Sequence, residues 1–185
     1  MRCFNVENIN TPSYWDEHQT AMDFGIRQQK YLSLAGEGDK IAELGCGLSP
    51  FLEYARPYFD KCYGVDYSPK TVQKAQSLYP EVIYMVGDAT NTEMDAKSLD
   101  VCVSGEVIEH IENPQDLIDE MVRITKRRII ISTPHLEFDD PEHLWEFTEE
   151  DFYKILKPYG KVTCETVHST RFPGRSYIFA ICDLK

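Results

Sequence analysis

The chain has 185 residues, 42% of them hydrophobic, which suits one domain whose core removes roughly two thirds of the unfolded surface from water. Its 31 acidic against 19 basic residues give a net charge of −12, a field that repels phosphate backbones and anionic membranes and argues against extended nucleic-acid binding. No apolar stretch approaches the roughly 20 residues that span a bilayer, and the opening MRCFNVENIN has neither signal- nor transit-peptide composition, so a soluble, cytoplasmic protein is expected.

In chain order, residues 13–35 carry a helical pattern. Five short apolar runs follow, KIAEL (40–44), KCYGV (61–65), VIYMV (82–86), LDVCVS (99–104) and RIIIS (128–132), with helical periodicity between them. That alternation is the signature of βαβ units and a parallel sheet. Ser49-Pro50, Ser68-Pro69 and Asn113-Pro114 each set a capping side chain before a proline that suits the first helical position, and Thr148 precedes an acidic first turn. The runs 162–169 and 176–184, joined through Pro173 and Gly174, read as a closing antiparallel pair. The expected fold is therefore α/β, Rossmann-like and doubly wound, with a mostly parallel seven-stranded sheet and a C-terminal antiparallel hairpin. A single domain, 1–185, divides into an N-terminal helical lid (1–37), a cofactor-binding core (38–132) and substrate-side loops with the closing strands (133–185). The six cysteines, at 3, 46, 62, 102, 164 and 182, form no Cys-x-x-Cys pair and fall mostly in apolar runs, which argues against a zinc ribbon or a disulfide scaffold.

The turn after the first of these strands, ELGCGLSP, carries Gly45 and Gly47 where an open parallel sheet admits a nucleotide-like ligand to its backbone. A dinucleotide fingerprint would place a third glycine where Pro50 stands, and the lysine of a phosphate-binding loop is missing. Asp66 ends the next strand 19 residues beyond Gly47, at the spacing of a ribose-reading acid. Glu43 adds an anion that suits a cationic ligand better than a phosphate. An adenosine without a pyrophosphate fits this combination.

The segments ELGCGLS, GVDYSP, GDAT and DVCVSGEVIEHIENP, in this order and spacing, resemble the class I S-adenosylmethionine-dependent methyltransferases, and among them the broad small-molecule type with E-V-x-E-H after the fourth strand. The resemblance covers about residues 38–132, with a looser echo in 142–152; where the family has its third glycine, this chain has Ser49. It implies that Gly45, Cys46 and Gly47 pass under the methionine part of S-adenosylmethionine, with Glu43 near its ammonium. It implies further that Asp66 takes the ribose hydroxyls, Tyr67 lies against adenine, and Asp88 and Ala89 meet the adenine edge. Ser104, Gly105 and Glu106 would flank the sulfonium, and S-adenosyl-L-homocysteine would be the product.

Methyl transfer from a sulfonium asks an enzyme mainly to align the nucleophile and exclude water; a base matters only where the acceptor must lose a proton. His110, His135 and His143 are the candidate bases, with Glu109 beside His110. Glu106, Glu109 and His110 stand at i, i+3 and i+4, one face of a helical turn, and with His143 could hold Mg²⁺ or Mn²⁺. This set also resembles small-RNA 3′-terminal 2′-O-methyltransferases and some quinone-type O-methyltransferases; a resident metal is not favoured, since E-V-x-E-H occurs widely in metal-free relatives. The segments 133–147 and 168–176 are expected to build the acceptor pocket. Trp145, Phe138 and Phe147 are candidates to stack on a flat acceptor, Arg171 and Arg175 to meet an anionic group, and Tyr14 and Trp15 to lid the cofactor. The expected activity is methylation of an oxygen or nitrogen of a small-molecule acceptor by a monomer or homodimer. Its alternatives are a metal-dependent RNA 3′-end methyltransferase and a non-catalytic cofactor-binding module.

Overall fold

The computed structural model describes residues 2–3, 25–48, 50–135, 142–169 and 174–185. The elements are β1 (Arg2–Cys3), α1 (Ile26–Ala35), β2 (Gly38–Leu44), α2 (Phe51–Ala55), β3 (Phe59–Asp66), α3 (Pro69–Leu78), β4 (Ile83–Val86) and β5 (Leu99–Gly105). A 3₁₀ turn (Ile108–His110), α4 (Pro114–Ile124), β6 (Thr125–Pro134), β7 (Trp145–Glu146), α5 (Glu149–Leu156), β8 (Gly160–His168) and β9 (Ser176–Leu184) complete the list.

Seven strands form one sheet in the order β4-β3-β2-β5-β6-β9-β8, with β9 antiparallel to both β6 and β8 and the other pairs parallel. This is the doubly wound sheet and closing hairpin that the alternation of apolar runs predicts. β1 pairs with β7 in a separate two-stranded ribbon, which no pattern in the sequence announces.

The sheet is covered on both faces, which is why its strands read as continuous apolar runs rather than alternating ones. In β6, Ile129 and Ile131 face a core with Leu117, Ile118 and Met121 of α4 and Phe152 of α5, whereas Ile130 faces Tyr31 and Ala35 of α1 and Phe51 and Leu52 of α2. Each isoleucine is fully buried, a contribution of about 1.5–3 kcal/mol apiece relative to exposure. No helix among the described residues is long and apolar enough to cross a membrane.

The helix starts divide. At α3, Ser68 Oγ accepts from Thr71 N at 3.0 Å, with Pro69 in the first turn as predicted. At α5, Thr148 and Asp151 form a reciprocal capping box. Asn113, by contrast, does not cap α4: its side-chain amide instead donates to the Asp116 carboxylate at 2.8 Å. Pro50 is the N-cap of α2 rather than its first residue, and Ser49 lies outside the described residues. So do residues 13–24 of the predicted leading helix, with Tyr14 and Trp15.

Candidate functional site

The sheet order reverses between β2 and β5, so the carboxyl ends of β4, β3, β2 and β5 stand side by side at one edge, with a crevice at the switch point. Four predicted segments come together there. Gly45 has φ +68, and a Cβ on it would lie 2.3 Å from Val107 Cγ2, so the β2 turn and the loop after β5 interlock only because position 45 is glycine. Gly47 has φ +53, and apart from the glycine and its two chain neighbours no atom of the described residues lies within 4 Å of where its Cβ would stand. The same turn thus has one glycine pressed against protein and one facing open space.

Asp66 fixes this turn. Its Oδ2 accepts from Gly47 N at 2.8 Å and its Oδ1 from Ser68 N at 2.9 Å, tying the glycine bend to the start of α3. Gly45 N and Cys46 N both donate to Val65 O, at 2.8 and 3.0 Å. Burial first, then the charges of Asp66 and Glu43, push the Cys46 thiol well above its ordinary range. Cys46 is therefore a neutral packing group, and the field that raises it is negative, favourable to a cation and hostile to a phosphate. Glu43 itself is 4% exposed. Tyr67 is partly exposed beside Asp66, and Asp88 lies at the end of the neighbouring β4, its Oδ1 accepting from Thr90 N and Oγ1 at 2.8 and 2.7 Å. Ala89 follows, half-buried. Ser104 is buried, its hydroxyl donating to Leu44 O at 3.0 Å across the switch point, and Gly105 ends β5.

After β5 the backbone departs from the predicted helical turn. The Glu106–His110 segment is not a helical face but a left-handed residue, Glu106 at φ +58, followed by the 3₁₀ turn. Glu106 turns toward α1, where its Oε2 lies 3.2 Å from Arg27 Nη1 and its Oε1 accepts from Ser132 Oγ at 2.9 Å. Tyr31 meets Ser132 Oγ at 2.5 Å, and the Arg27 guanidinium sits 4.9 Å over the Tyr177 ring. This buried network holds a non-glycine residue in a conformation that costs about 1–2 kcal/mol. The sequence pattern missed Arg27, Tyr31 and Ser132, because no local signal links α1 to β5.

Glu109, His110 and His143 do converge, offering one ligand atom each within 4.8 Å of one another. Glu109 is 1% exposed; Thr133 Oγ1 donates to its Oε2 at 3.1 Å, while its Oε1 has no hydrogen-bond partner among the described residues. Burial first, then the Glu106 charge, push the Glu109 carboxyl well above the usual range. His110 Nδ1 lies 2.9 Å from Glu142 O, Leu144 N donates to Glu109 O at 2.8 Å, and the two imidazoles meet edge-on with centroids 5.0 Å apart. These bonds dock the segment before β7 on the 3₁₀ turn. His135 stands apart from this cluster, its backbone N bonded to Ser176 O and its ring Nδ1 3.4 Å from Ser176 Oγ.

Of the predicted aromatic lining, Phe147 is fully buried and stacked on Phe152 at 5.1 Å, so it belongs to the core. Trp145 is partly buried, its indole N–H donating to Ile111 O at 2.9 Å. Arg175 is exposed, and Phe138 and Arg171 lie outside the described residues.

A family model described as a methyltransferase domain matches residues 42–131. Norajmaline N-methyltransferase of Rauvolfia serpentina is 33% identical over 127 residues, 63% of this chain and 42% of that protein. The chain thus spans less than half the length of that relative. A solved S-adenosylmethionine-dependent methyltransferase from Aquifex aeolicus has a TM-score of 0.69 at 17% identity, covering 92% of this chain and 98% of the other. Phosphoethanolamine N-methyltransferase 2 of Haemonchus contortus, bound to phosphomonomethylethanolamine and S-adenosylhomocysteine, has a TM-score of 0.70 at 15% identity, over 97% of this chain and 54% of that one. At these identities the two structures speak for the fold alone. The family match runs from β2 into β6 and encloses both the glycine turn and the loop after β5, and the fold agrees with it, so over residues 42–131 the chain is similar to the methyltransferase domain.

Proposed function

We propose that this chain transfers a methyl group from S-adenosylmethionine to an oxygen or nitrogen of a small-molecule acceptor. The observation that carries the reading is the glycine turn: Gly47 faces open space, its N–H is held by Asp66, and the carboxylates around it make the field negative. A cationic adenosine fits such a site and a diphosphate does not. When bound, the cofactor supplies a methyl group on a sulfonium whose C–S electron pair leaves with a neutral thioether.

The chain's own residues have three tasks in this reading. The backbone of Gly45, Cys46 and Gly47, with Glu43, receives the amino-acid part; Asp66 and Tyr67 receive the ribose and adenine, and Asp88 and Ala89 the adenine edge. Ser104, Gly105 and the backbone of Glu106 bound the reacting side. For a hydroxyl acceptor, the cluster of Glu109, His110 and His143 polarises the O–H or receives its proton. The nitrogen acceptor in the name of the Rauvolfia relative supports the small-molecule class. The RNA 3′-end alternative loses support, because Glu106, one of its four presumptive ligands, is committed to Arg27 and the net charge is −12.

Calorimetry with S-adenosylmethionine and S-adenosylhomocysteine, on wild type and Asp66→Ala, tests the cofactor site. Hydrogen bonds to a charged group contribute about 1.5–3 kcal/mol, so Asp66→Ala should weaken both ligands about 10–150-fold. Unchanged affinity would reduce Asp66 to a turn former. A screen of hydroxyl and amine acceptors with methyl-labelled cofactor tests turnover, and binding without any product in that screen would leave the non-catalytic module.

A further inference from the structure

We infer, on the methyl-transfer reading, that Arg27 is a positioning residue: through the Glu106 carboxylate it holds the backbone at position 106 left-handed, and that conformation sets the reacting side of the cofactor crevice. Glu106 stands at φ +58, and among the described non-glycine residues only Lys97 shares a positive φ. Glycine adopts such a conformation freely, whereas a glutamate stays there only where its surroundings over-determine it. Three contacts do so. Glu106 N donates to Ser132 O at 3.0 Å, Ser132 Oγ donates to Glu106 Oε1 at 2.9 Å, and Arg27 Nη1 lies 3.2 Å from Oε2. The first needs no side chain; the other two exist because position 106 carries a carboxylate.

Arg27 is itself fixed. It is 5% exposed, with its guanidinium 4.9 Å over the Tyr177 ring. Tyr31, one turn further along the same face of α1, has its ring centroid 5.3 Å from that of Phe51 and 5.2 Å from that of Phe179, and its hydroxyl meets Ser132 Oγ. A Cβ on Gly105 would collide with the Tyr31 hydroxyl, so α1 presses directly on the last residue of β5. On the other side of Glu106, Val107 fills the space that a Gly45 side chain would need. Contacts therefore run from α1 through Glu106 to Val107 and Gly45, tying the helix to both arms of the crevice, the loop after β5 and the glycine turn.

A buried ion pair is a poor source of stability, because desolvating two charges offsets most of their attraction. What this pair supplies is geometry. Ser104, Gly105 and the backbone of Glu106 bound the reacting side, where a misplacement of about 1 Å costs on the order of 100-fold in rate. Arg27 touches neither cofactor nor acceptor in this arrangement; it acts through Glu106.

Two double variants of the full chain separate backbone from side chain. Arg27→Met is combined with Glu106→Gly in one and with Glu106→Ala in the other; both remove the whole ion pair, so neither strands a buried charge. Glycine reaches positive φ unaided and alanine does not. By calorimetry the glycine variant should bind S-adenosylmethionine and S-adenosylhomocysteine within about threefold of wild type, whereas the alanine variant should bind both about 5–30-fold more weakly. Hydrogen exchange of the amide at position 106, which donates to Ser132 O, reads the loop without cofactor: its protection should fall by a similar factor with alanine and stay near wild type with glycine. Equal affinities in the two variants would overturn the inference. If both match wild type, position 106 does not need Arg27; if both are weakened alike, the effect belongs to the lost carboxylate and not to the backbone. Wild type that binds neither ligand would refute the methyl-transfer reading instead, and the exchange contrast would still decide whether Arg27 sets the loop.

Discussion

Gly45 and Gly47 lie two residues apart in one turn, both with positive φ, and the structure separates what each does. Replacing Gly45 by Ala adds a left-handed penalty of about 1–2 kcal/mol and a methyl group 2.3 Å from Val107 Cγ2, an overpacking cost of about 1–3 kcal/mol. The sum, about 2–5 kcal/mol, is a large part of a typical domain's stability and should lower the melting temperature by roughly 4–20 °C. Gly47→Ala meets nothing within 4 Å among the described residues, so it should incur only the backbone penalty, about 1–2 kcal/mol, and melt a few degrees lower. Its effect should fall instead on S-adenosylmethionine binding, because the new methyl group projects into the crevice. Urea denaturation of both variants, calorimetry with the cofactor, and a cycle with Val107→Ala measure the terms separately. Val107→Ala should recover about 1–3 kcal/mol in the Gly45→Ala background and nothing in the Gly47→Ala background. If Gly47→Ala binds the cofactor as wild type does, the open space beside that residue is not where the cofactor lies, and the argument built on the turn fails.

Two further outcomes follow from buried charges. Arg27→Ala strands Glu106 in the interior and should cost about 3–5 kcal/mol, while the double variant Arg27→Met, Glu106→Gln should recover most of that loss; a drop below about 1 kcal/mol would mean the pair is effectively solvated. At Glu120, burial works to raise the carboxyl, but hydrogen bonds from Arg123 and Thr92 outweigh it and hold the group below its usual range. A depressed folded value contributes stability that is present above the unfolded value, about 4.3, and is lost as pH falls through the folded one. Urea midpoints of wild type should therefore drop more steeply below about pH 5 than those of Glu120→Gln, and parallel curves would refute the linkage.

The parallel core was legible because it is locally encoded. Strands buried on both faces must be apolar throughout, so β2, β5 and β6 stand out as runs, and Ser68-Pro69 and Thr148 announce α3 and α5 through bonds made within three residues. Gly45, Gly47 and Asp66 were legible for a related reason: a bend that carries positive φ admits few residue types, and the acid that holds it lies at a spacing set by one βα unit.

The loop after β5 was not legible. Its residues 106, 109 and 110 have helical spacing, and that spacing predicted one shared face. Tertiary contacts decided otherwise: Arg27 from α1 and Ser132 from β6 draw Glu106 to one side of the sheet, and Thr133 with the 142–145 segment draws Glu109 and His110 to the other. Sequence by itself determined where strands and turns occur, because steric limits on φ and the burial of apolar side chains act within a few residues. Which carboxylate meets a cation and which meets the histidines depended on partners brought together only when the sheet closes, since charge and hydrogen bonding act on distance in space rather than along the chain.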